Sequence, residues 1–302
     1  MKIEVRNLHV NFSGKKILKN INLNLTPGIW GLLGANGAGK TTLIKVLSTI
    51  LKPTEGEILF NGKNVFSEPQ NYLINLGVLP QGFDCYPNVN ICDFLKFMAI
   101  IKEIPSSQIE ERIIRVLKTT NLLTYSNLKI KQLSGGMKQR LGIAQVLLSD
   151  PLILIFDEPT VGLDPEERVM FRKLLSTLSN DKIILLSTHI VQDVEAIADK
   201  LLVMSLGQII LNGSPNELLQ NIHGLVWECT DINSSEHIIS NIRHNSNGDT
   251  IYRIISSEAP HINAKQVSAN LEDLYLFYFH QKYIDKYINK SSYLQINEGE
   301  LK

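Results

Sequence analysis

The run Gly34-Ala35-Asn36-Gly37-Ala38-Gly39-Lys40-Thr41 has the residue types and spacing of a loop that holds phosphate. Glycines let the backbone wrap until successive N–H groups point inward as a nest for anionic oxygens. A helix that starts at Lys40 adds the positive end of its dipole to the same anion. Lys40 can then reach the β- and γ-phosphates of a nucleotide, and the Thr41 hydroxyl can ligate Mg²⁺. By chance alone such a pattern arises in about one in a hundred chains of this length. Its setting, a short apolar strand before and a helical pattern after, reduces that further. A second element is Leu152-Ile153-Leu154-Ile155-Phe156-Asp157-Glu158, an apolar run that ends in two carboxylates. At the carboxyl end of a parallel strand, Asp157 faces the ligand crevice and suits Mg²⁺. Strand alternation would turn Glu158 toward a different space, where an attacking water could sit. Ser187-Thr188-His189 ends another apolar run on the same side and places His189 where a γ-phosphate contact is wanted. In Leu133-Ser134-Gly135-Gly136-Met137-Lys138-Gln139-Arg140, Ser134 is a good N-cap and Gly135-Gly136 expose N–H groups at a helix start. That is a second anion site in a chain that already has one.

These residues need elements to hold them. Residues 2 to 34 read as strands: Ile3, Val5, Leu8, Val10 and Phe12 are largely alternating, Ile17 to Leu25 repeats the pattern, Thr26-Pro27-Gly28 turns, and Ile29–Leu33 is a short buried strand. Lys40–Leu51 reads as a helix, with strands at Glu57–Phe60 and Leu76–Pro80. Between 88 and 149 the spacing of Phe94, Leu95, Phe97, Met98 and Ile101, then of Ile109, Ile113, Ile114, Val116 and Leu117, is helical, which marks an insertion. Alternation then returns: strand Leu152–Phe156, helix Pro165–Leu178, strand Ile183–Ser187, helix Val191–Ala198, strand Lys200–Met204. That order implies a parallel sheet covered by helices on both faces. Gly213-Ser214-Pro215 opens a last short helix of this domain. Composition shifts after Asn221 to a region rich in Asn, Ser and Ile, with strands expected at Leu225–Thr230 and Thr250–Ile255, a helix at Leu271–Tyr283 and a loose tail from Asn297.

The 302 residues are 44% hydrophobic and 20% charged, an ordinary globular balance that excludes global disorder. Lys+Arg and Asp+Glu are 30 each, so bulk positive charge does not hold this chain on nucleic acid, and no such partner is expected. No apolar stretch is long enough to cross a bilayer, and the first residues lack the apolar core of a signal peptide. Cys85, Cys92 and Cys229 are scattered and form no CxxC pair, which points to a reduced setting without disulfides or a thiolate metal site.

Taken in order, the motifs resemble the ATP-binding subunit of an ABC transporter: the phosphate loop at 34–41, Gln81 in Leu79-Pro80-Gln81, the signature at 133–136, the apolar strand to Asp157, Glu158, Gly162-Leu163-Asp164, and His189. The resemblance covers about residues 1 to 217. It implies an α/β fold of the P-loop NTPase type, with a RecA-like mixed sheet core, an antiparallel β subdomain, a helical insertion (about 88–149) in an ATPase domain of residues 1–221, and a small α+β C-terminal region at 222–302. It implies Mg-ATP hydrolysis by two copies joined head to tail, each nucleotide lying between one copy's loop (Gly34 to Thr41, with Thr42) and the other's Ser134, Gly135 and Gly136. It further implies that Phe12 stacks on adenine, Gln81 touches Mg²⁺ and the water, Glu158 is the general base, His189 stabilises the γ-phosphate, and Asp164 communicates between sites, while Thr41 and Asp157 complete the Mg²⁺ set. The partner implied is an integral-membrane permease, and the location is the cytoplasmic face of a bacterial membrane. Gly31-Leu-Leu-Gly34, Gly136-Met-Lys-Gln-Arg-Leu-Gly-Ile-Ala144, Ser187-Thr-His-Ile190, Leu271-Glu-Asp-Leu-Tyr275 and Gly224-Leu-Val-Trp-Glu228 look like the exporter branch that moves drugs, antimicrobial peptides, sodium or polysaccharide. The competing reading is an ABC ATPase with no transporter, of the iron–sulfur assembly type.

Overall fold

The computed structural model describes residues 1–83, 85–231, 237–246 and 248–280. Alternating apolar residues pair first. Strands β1 (Ile3–Phe12) and β2 (Lys15–Leu25) form an antiparallel hairpin with Ile3 opposite Leu25 and Phe12 opposite Lys15. Strand β3 (Gly28–Leu33) leads into the phosphate loop and helix α1 (Lys40–Leu47). The helix stops before the expected Leu51 because Thr49 adopts a left-handed backbone, φ 58°. Strands β4 (Glu55–Phe60) and β5 (Lys63–Asn64) return to the first sheet, whose order is β2-β1-β4-β5. A short helix α2 (Pro69–Ile74) precedes β6 (Leu76–Leu79). Burial pushes the Tyr72 phenol of α2 up from its ordinary pKa, and its hydroxyl donates to the Leu47 carbonyl at the end of α1 (2.7 Å).

The insertion is helical, as its spacing required: α3 (Ile91–Ile101), α4 (Ser106–Thr119) and α5 (Gly135–Leu147). Helix α3 is capped by Asn90, whose side chain accepts from the Asp93 amide (2.8 Å), and α4 buries Ile113, Val116 and Leu117 on one stripe. The second sheet resumes with β7 (Ile153–Asp157), α6 (Pro165–Leu178), β8 (Ile183–Thr188), α7 (Val191–Glu195), β9 (Lys200–Ser205) and β10 (Gln208–Gly213). Its order is β10-β9-β3-β8-β7-β6. Strands β9, β3, β8, β7 and β6 are parallel in sequence of pairing, with Leu33 beside Thr188 and Asp157 beside Ser187. That register carries the ends of β3, β7 and β8 to one edge. Every residue of β7 and β8 is buried, as a sheet covered on both faces demands. The turn Leu206-Gly207, with φ 47° and 82°, makes β9–β10 a two-residue hairpin.

The chain divides into one unit of Met1–Asn212 and a second that begins at Gly213, earlier than the composition shift after Asn221 suggested. The reason is local: helix α8 (Pro215–Leu219), capped by Ser214 with Glu217 closing the reciprocal bond, packs with the last helix, α9 (Leu271–Phe279), inside the second unit. That unit holds β11 (Val226–Cys229), β12 (Ile238–His244), β13 (Thr250–Ile255) and β14 (Lys265–Gln266), antiparallel in the order β12-β13-β11-β14. Asn270 caps α9, and Asp273, fully buried one turn in, returns the bond to the Asn270 amide (2.9 Å). Asp273 also receives Arg253 of β13 (2.7 Å), and this hydrogen bonding raises the guanidinium further above its ordinary pKa. The segment 281–283 of the expected helix and the tail from Asn297 lie outside the described residues. Among the described residues, no helix is long and apolar enough to cross a membrane.

Candidate functional site

The phosphate loop is built by close approach. A Cβ on Gly34 would lie 2.6 Å from the Met204 carbonyl oxygen of β9. Gly39 adopts φ 108°, and a Cβ there would lie 2.8 Å from the Met204 methyl. The Gly39 position before α1 makes no side-chain cap, so the first amides of that helix stay open to an anion. The Gly207 amide donates to the Ala38 carbonyl (2.9 Å), and the Lys19 amide of β2 donates to the Gly207 carbonyl (2.8 Å). The β9–β10 turn thus ties the loop to the first sheet. A Cβ on Gly207 would collide with the Ile17 carbonyl, a backbone atom that cannot swing aside. Gly207→Ala is therefore expected to destabilise the chain by about 1–3 kcal/mol and to weaken nucleotide binding. A thermal melt and an ATP titration would check this, and a melt equal to that of the parent chain would contradict it.

Lys40 is buried and donates from Nζ to the Gly34 carbonyl (2.7 Å). It also lies 3.5 Å from Glu158 Oε1. Glu158 is not oriented by strand alternation, as the sequence suggested. It falls past the end of β7 and takes a left-handed backbone, φ 51°, with its amide donating to the carbonyl and hydroxyl of Ser187 (3.1 Å each). The turn sends its carboxylate to His189, whose Nδ1 is 2.8 Å from Oε2. Lys40, Glu158 and His189 are thereby joined in one chain of contacts at the sheet edge.

Asp157 is 3% exposed. Its Oδ1 accepts from the Ser187 hydroxyl (2.5 Å), and it forms no ion pair among the described residues. Asp157 ends β7 at the edge where β3 leads into the phosphate loop, and an oxygen ligand set there of its carboxylate and the exposed Thr41 hydroxyl at the start of α1 fits Mg²⁺. Gln81 lies exposed beyond the end of β6, and the described hydrogen bonds of Asp157 and Glu158 do not include it. Phe12 ends β1 with its ring 54% exposed, available for stacking.

A second cluster stands on α5 and α6. Ser134 Oγ accepts from the Met137 amide (3.1 Å), and Asp164 Oδ1 accepts from the Glu167 amide (2.8 Å), so both are N-caps. The two helix starts adjoin: the Gly162 carbonyl is 4.0 Å from where a Gly135 Cβ would be, and the Glu167 carboxylate occupies the space that a Cβ on Gly136 would need. Ser134 and Gly135 are exposed. No described hydrogen bond or ion pair joins this cluster to Lys40, Glu158 or His189. No motif in the sequence assigns a role to Met204 and Gly207, which shape the loop, or to Ser187, Thr160 and Asp193. Ser187 stood in the quoted run before His189, so adjacency could have flagged it; Thr160 and Asp193 carried no spacing signal.

The family described as ABC transporter matches residues 18–161. Nod factor export ATP-binding protein I of Cupriavidus pinatubonensis is 30% identical, with 91% of this chain and 89% of that one covered. The chain belongs to the ABC transporter ATP-binding family. The ABC relatives differ in the direction their names give: spermidine/putrescine import ATP-binding protein PotA of Mycoplasma mycoides is 33% identical over 80% of this chain and 69% of its own. Among solved structures, cbiO1 of Clostridium perfringens, described as part of the ABC transporter complex cbiONQ, is 32% identical with a TM-score of 0.65, covering 72% of this chain and 90% of that one. The fold is that of an ABC ATPase, and the activity of the family is ATP hydrolysis.

Proposed function

We propose that this ABC ATPase works as a head-to-tail pair in which each ATP lies between the loop cluster of one copy and the Ser134 cluster of the other, and that it energises an export permease from the cytoplasmic face of a bacterial membrane. The observation that carries the reading is the split within one chain. Lys40, Asp157, Glu158 and His189 gather at the sheet edge, while Ser134 and Gly135, a second set of anion donors, are exposed on a separate helix start. Two half-sites that do not meet within a chain are completed by a second copy.

In this reading Phe12 stacks on adenine, and residues Gly34 to Thr42 surround the phosphates. Lys40 turns from the Gly34 carbonyl and Glu158 to the β- and γ-phosphates. Released from Lys40, Glu158 accepts the proton of the attacking water, and His189, held to Glu158, steadies the γ-phosphate. Mg²⁺, when bound, neutralises phosphate charge, and Asp157, Thr41 and Gln81 are the residues that would hold it. Asp164, capping the helix beside the Ser134 cluster, reports one site to the other. Loss of the γ-phosphate removes what Ser134, Gly135 and Gly136 hold across the interface, and the pair opens.

Export is the direction we favour, because the Nod factor export relative aligns over nearly all of the chain, and Leu271–Tyr275 has a built role there: Asp273 anchors α9 to Arg253. Import is the second reading, favoured by the likeness to PotA. Recovery of a stable integral-membrane partner from detergent-solubilised membranes supports transport, and a purely soluble complex supports a non-transport ABC ATPase. For the pairing itself, sedimentation of the full chain with Mg-ATP under hydrolysis-blocked conditions should give twice the monomer mass, and Ser134→Arg should keep it single. A chain that stays monomeric with saturating Mg-ATP would overturn the shared-site reading.

A further inference from the structure

We propose that Thr160 and Asp193 form a positioning pair that keeps Glu158 and His189 in register for hydrolysis. The proposal rests on Glu158 being the base and looks one layer behind it. The backbone at Glu158 is left-handed, an uncommon conformation for a residue other than glycine, and here buried surroundings help to hold it. The segment from Ser187 to Asp193 supplies those surroundings, gripping 157–160 at three places. At one end the Ser187 hydroxyl donates to Asp157, and the Ser187 carbonyl and hydroxyl receive the Glu158 amide. In the middle His189 meets Glu158 at 2.8 Å. At the far end Thr160 Oγ1 donates to Asp193 Oδ2 at 2.6 Å.

The end contacts differ in kind from the middle one. Ser187 and Thr160 are 0% exposed and Asp193 is 2% exposed, whereas His189 is exposed. Asp193 joins no ion pair among the described residues, so its buried carboxylate relies on neutral donors, of which the Thr160 hydroxyl is one. A short hydrogen bond to a buried carboxylate is charge-assisted, and removing the donor leaves a costly unmet acceptor. His189 and Ile190 span the gap between β8 and α7, and the Ile190 amide is fixed to the Thr188 hydroxyl (3.0 Å). Asp193, in the first turn of α7, fixes the other side of that gap to the loop that carries Glu158. Without it, α7 and the His189 backbone keep their tie to β8 and lose their tie to Thr160. Neither Thr160 nor Asp193 faces the phosphate loop in any described contact, so the pair acts through Glu158 and His189.

The test uses the full chain and compares Thr160→Val, Thr160→Ser, His189→Ala, Glu158→Gln and the Thr160→Val/His189→Ala double variant. Thr160→Val is expected to lower kcat about tenfold, since a displacement well under 1 Å of His189 relative to Glu158 is already costly, with the KM for ATP within about twofold. Thr160→Ser, which keeps the hydroxyl, should retain kcat within about twofold. In the His189→Ala background, Thr160→Val should add less than about twofold, because the register it protects is already gone. An unchanged kcat in Thr160→Val beside an inactive Glu158→Gln overturns the positioning pair and leaves the base in place. Normal turnover of Glu158→Gln removes the reading beneath it. Equal losses from Thr160→Val in both backgrounds mark a purely structural role and overturn the proposal. Should Thr160→Val not fold, Asp193→Asn is read by the same rule: a kcat loss at unchanged KM that vanishes in His189→Ala supports the pair, and a loss that persists there overturns it.

Discussion

Glu158→Gln is expected to lose about 10²–10⁴-fold in ATP turnover while still binding nucleotide, the range a positioned general base contributes. Glutamine matches glutamate in shape, so the left-handed backbone and its two bonds to Ser187 persist. The amide can still meet His189, but it cannot take a proton from water. It also sheds the negative charge near Lys40, which frees that ammonium for phosphate. The variant should therefore accumulate as an ATP-bound pair. Phosphate release reads the first effect, and sedimentation with Mg-ATP reads the second. Turnover at the parental rate would remove Glu158 from the proton-accepting role.

Lys40→Ala strikes binding itself. Charge-assisted hydrogen bonds to phosphate are worth about 1.5–3 kcal/mol, so ATP affinity should fall about 10–100-fold. The substitution also leaves Glu158 buried without its lysine, with His189 as its remaining described side-chain partner. Equilibrium titration with a nucleotide analogue measures the loss, and unchanged affinity would contradict the phosphate-loop assignment. The same variant offers a complementation test. Mixed with Ser134→Arg, itself unable to close a site, it forms hybrids in which an intact loop from one chain faces an intact Ser134 from the other. Activity that reappears on mixing supports the shared site; two inactive chains that stay inactive when mixed oppose it.

The sequence marked most residues of the candidate site and some of the fold. Motifs that depend on local chemistry were readable: the loop needs glycine for backbone reasons, and a buried strand that ends in carboxylates is unusual enough to stand out. Helix α6 runs Pro165–Leu178 as its pattern required, with Asp164 and Pro165 marking its start. Three features escaped because nothing local announces them. Strand β10 is half-buried along most of its length, so it lacks strong alternation, and the turn before it places a leucine, not a glycine or asparagine, at its first left-handed position. Strand β12 exposes most of its residues and pairs with β13 through an irregular register, hidden in a polar stretch. Helix α2 is too short to show a period. The direction of Glu158 failed for a subtler reason. Alternation holds only inside a strand, and one left-handed residue past its end re-aims the side chain. The Thr160–Asp193 contact joins residues on separate elements, and such distant pairings are set by the sheet order, which no spacing rule encodes.

The strand register that brings the ends of β3, β7 and β8 to a common edge leaves Asn36, Gly37, Thr41 and His189 exposed on an open rim. A rim needs a lid, and in the head-to-tail reading proposed above the lid is a second copy. The rate per chain should thus climb with dilution reversed: nearly silent when copies are scarce, brisk when crowded. Anything that tethers two copies raises their local concentration to about the millimolar range. If the proposed pairing holds, two copies anchored to one permease would spend nucleotide there, while separate copies spare it.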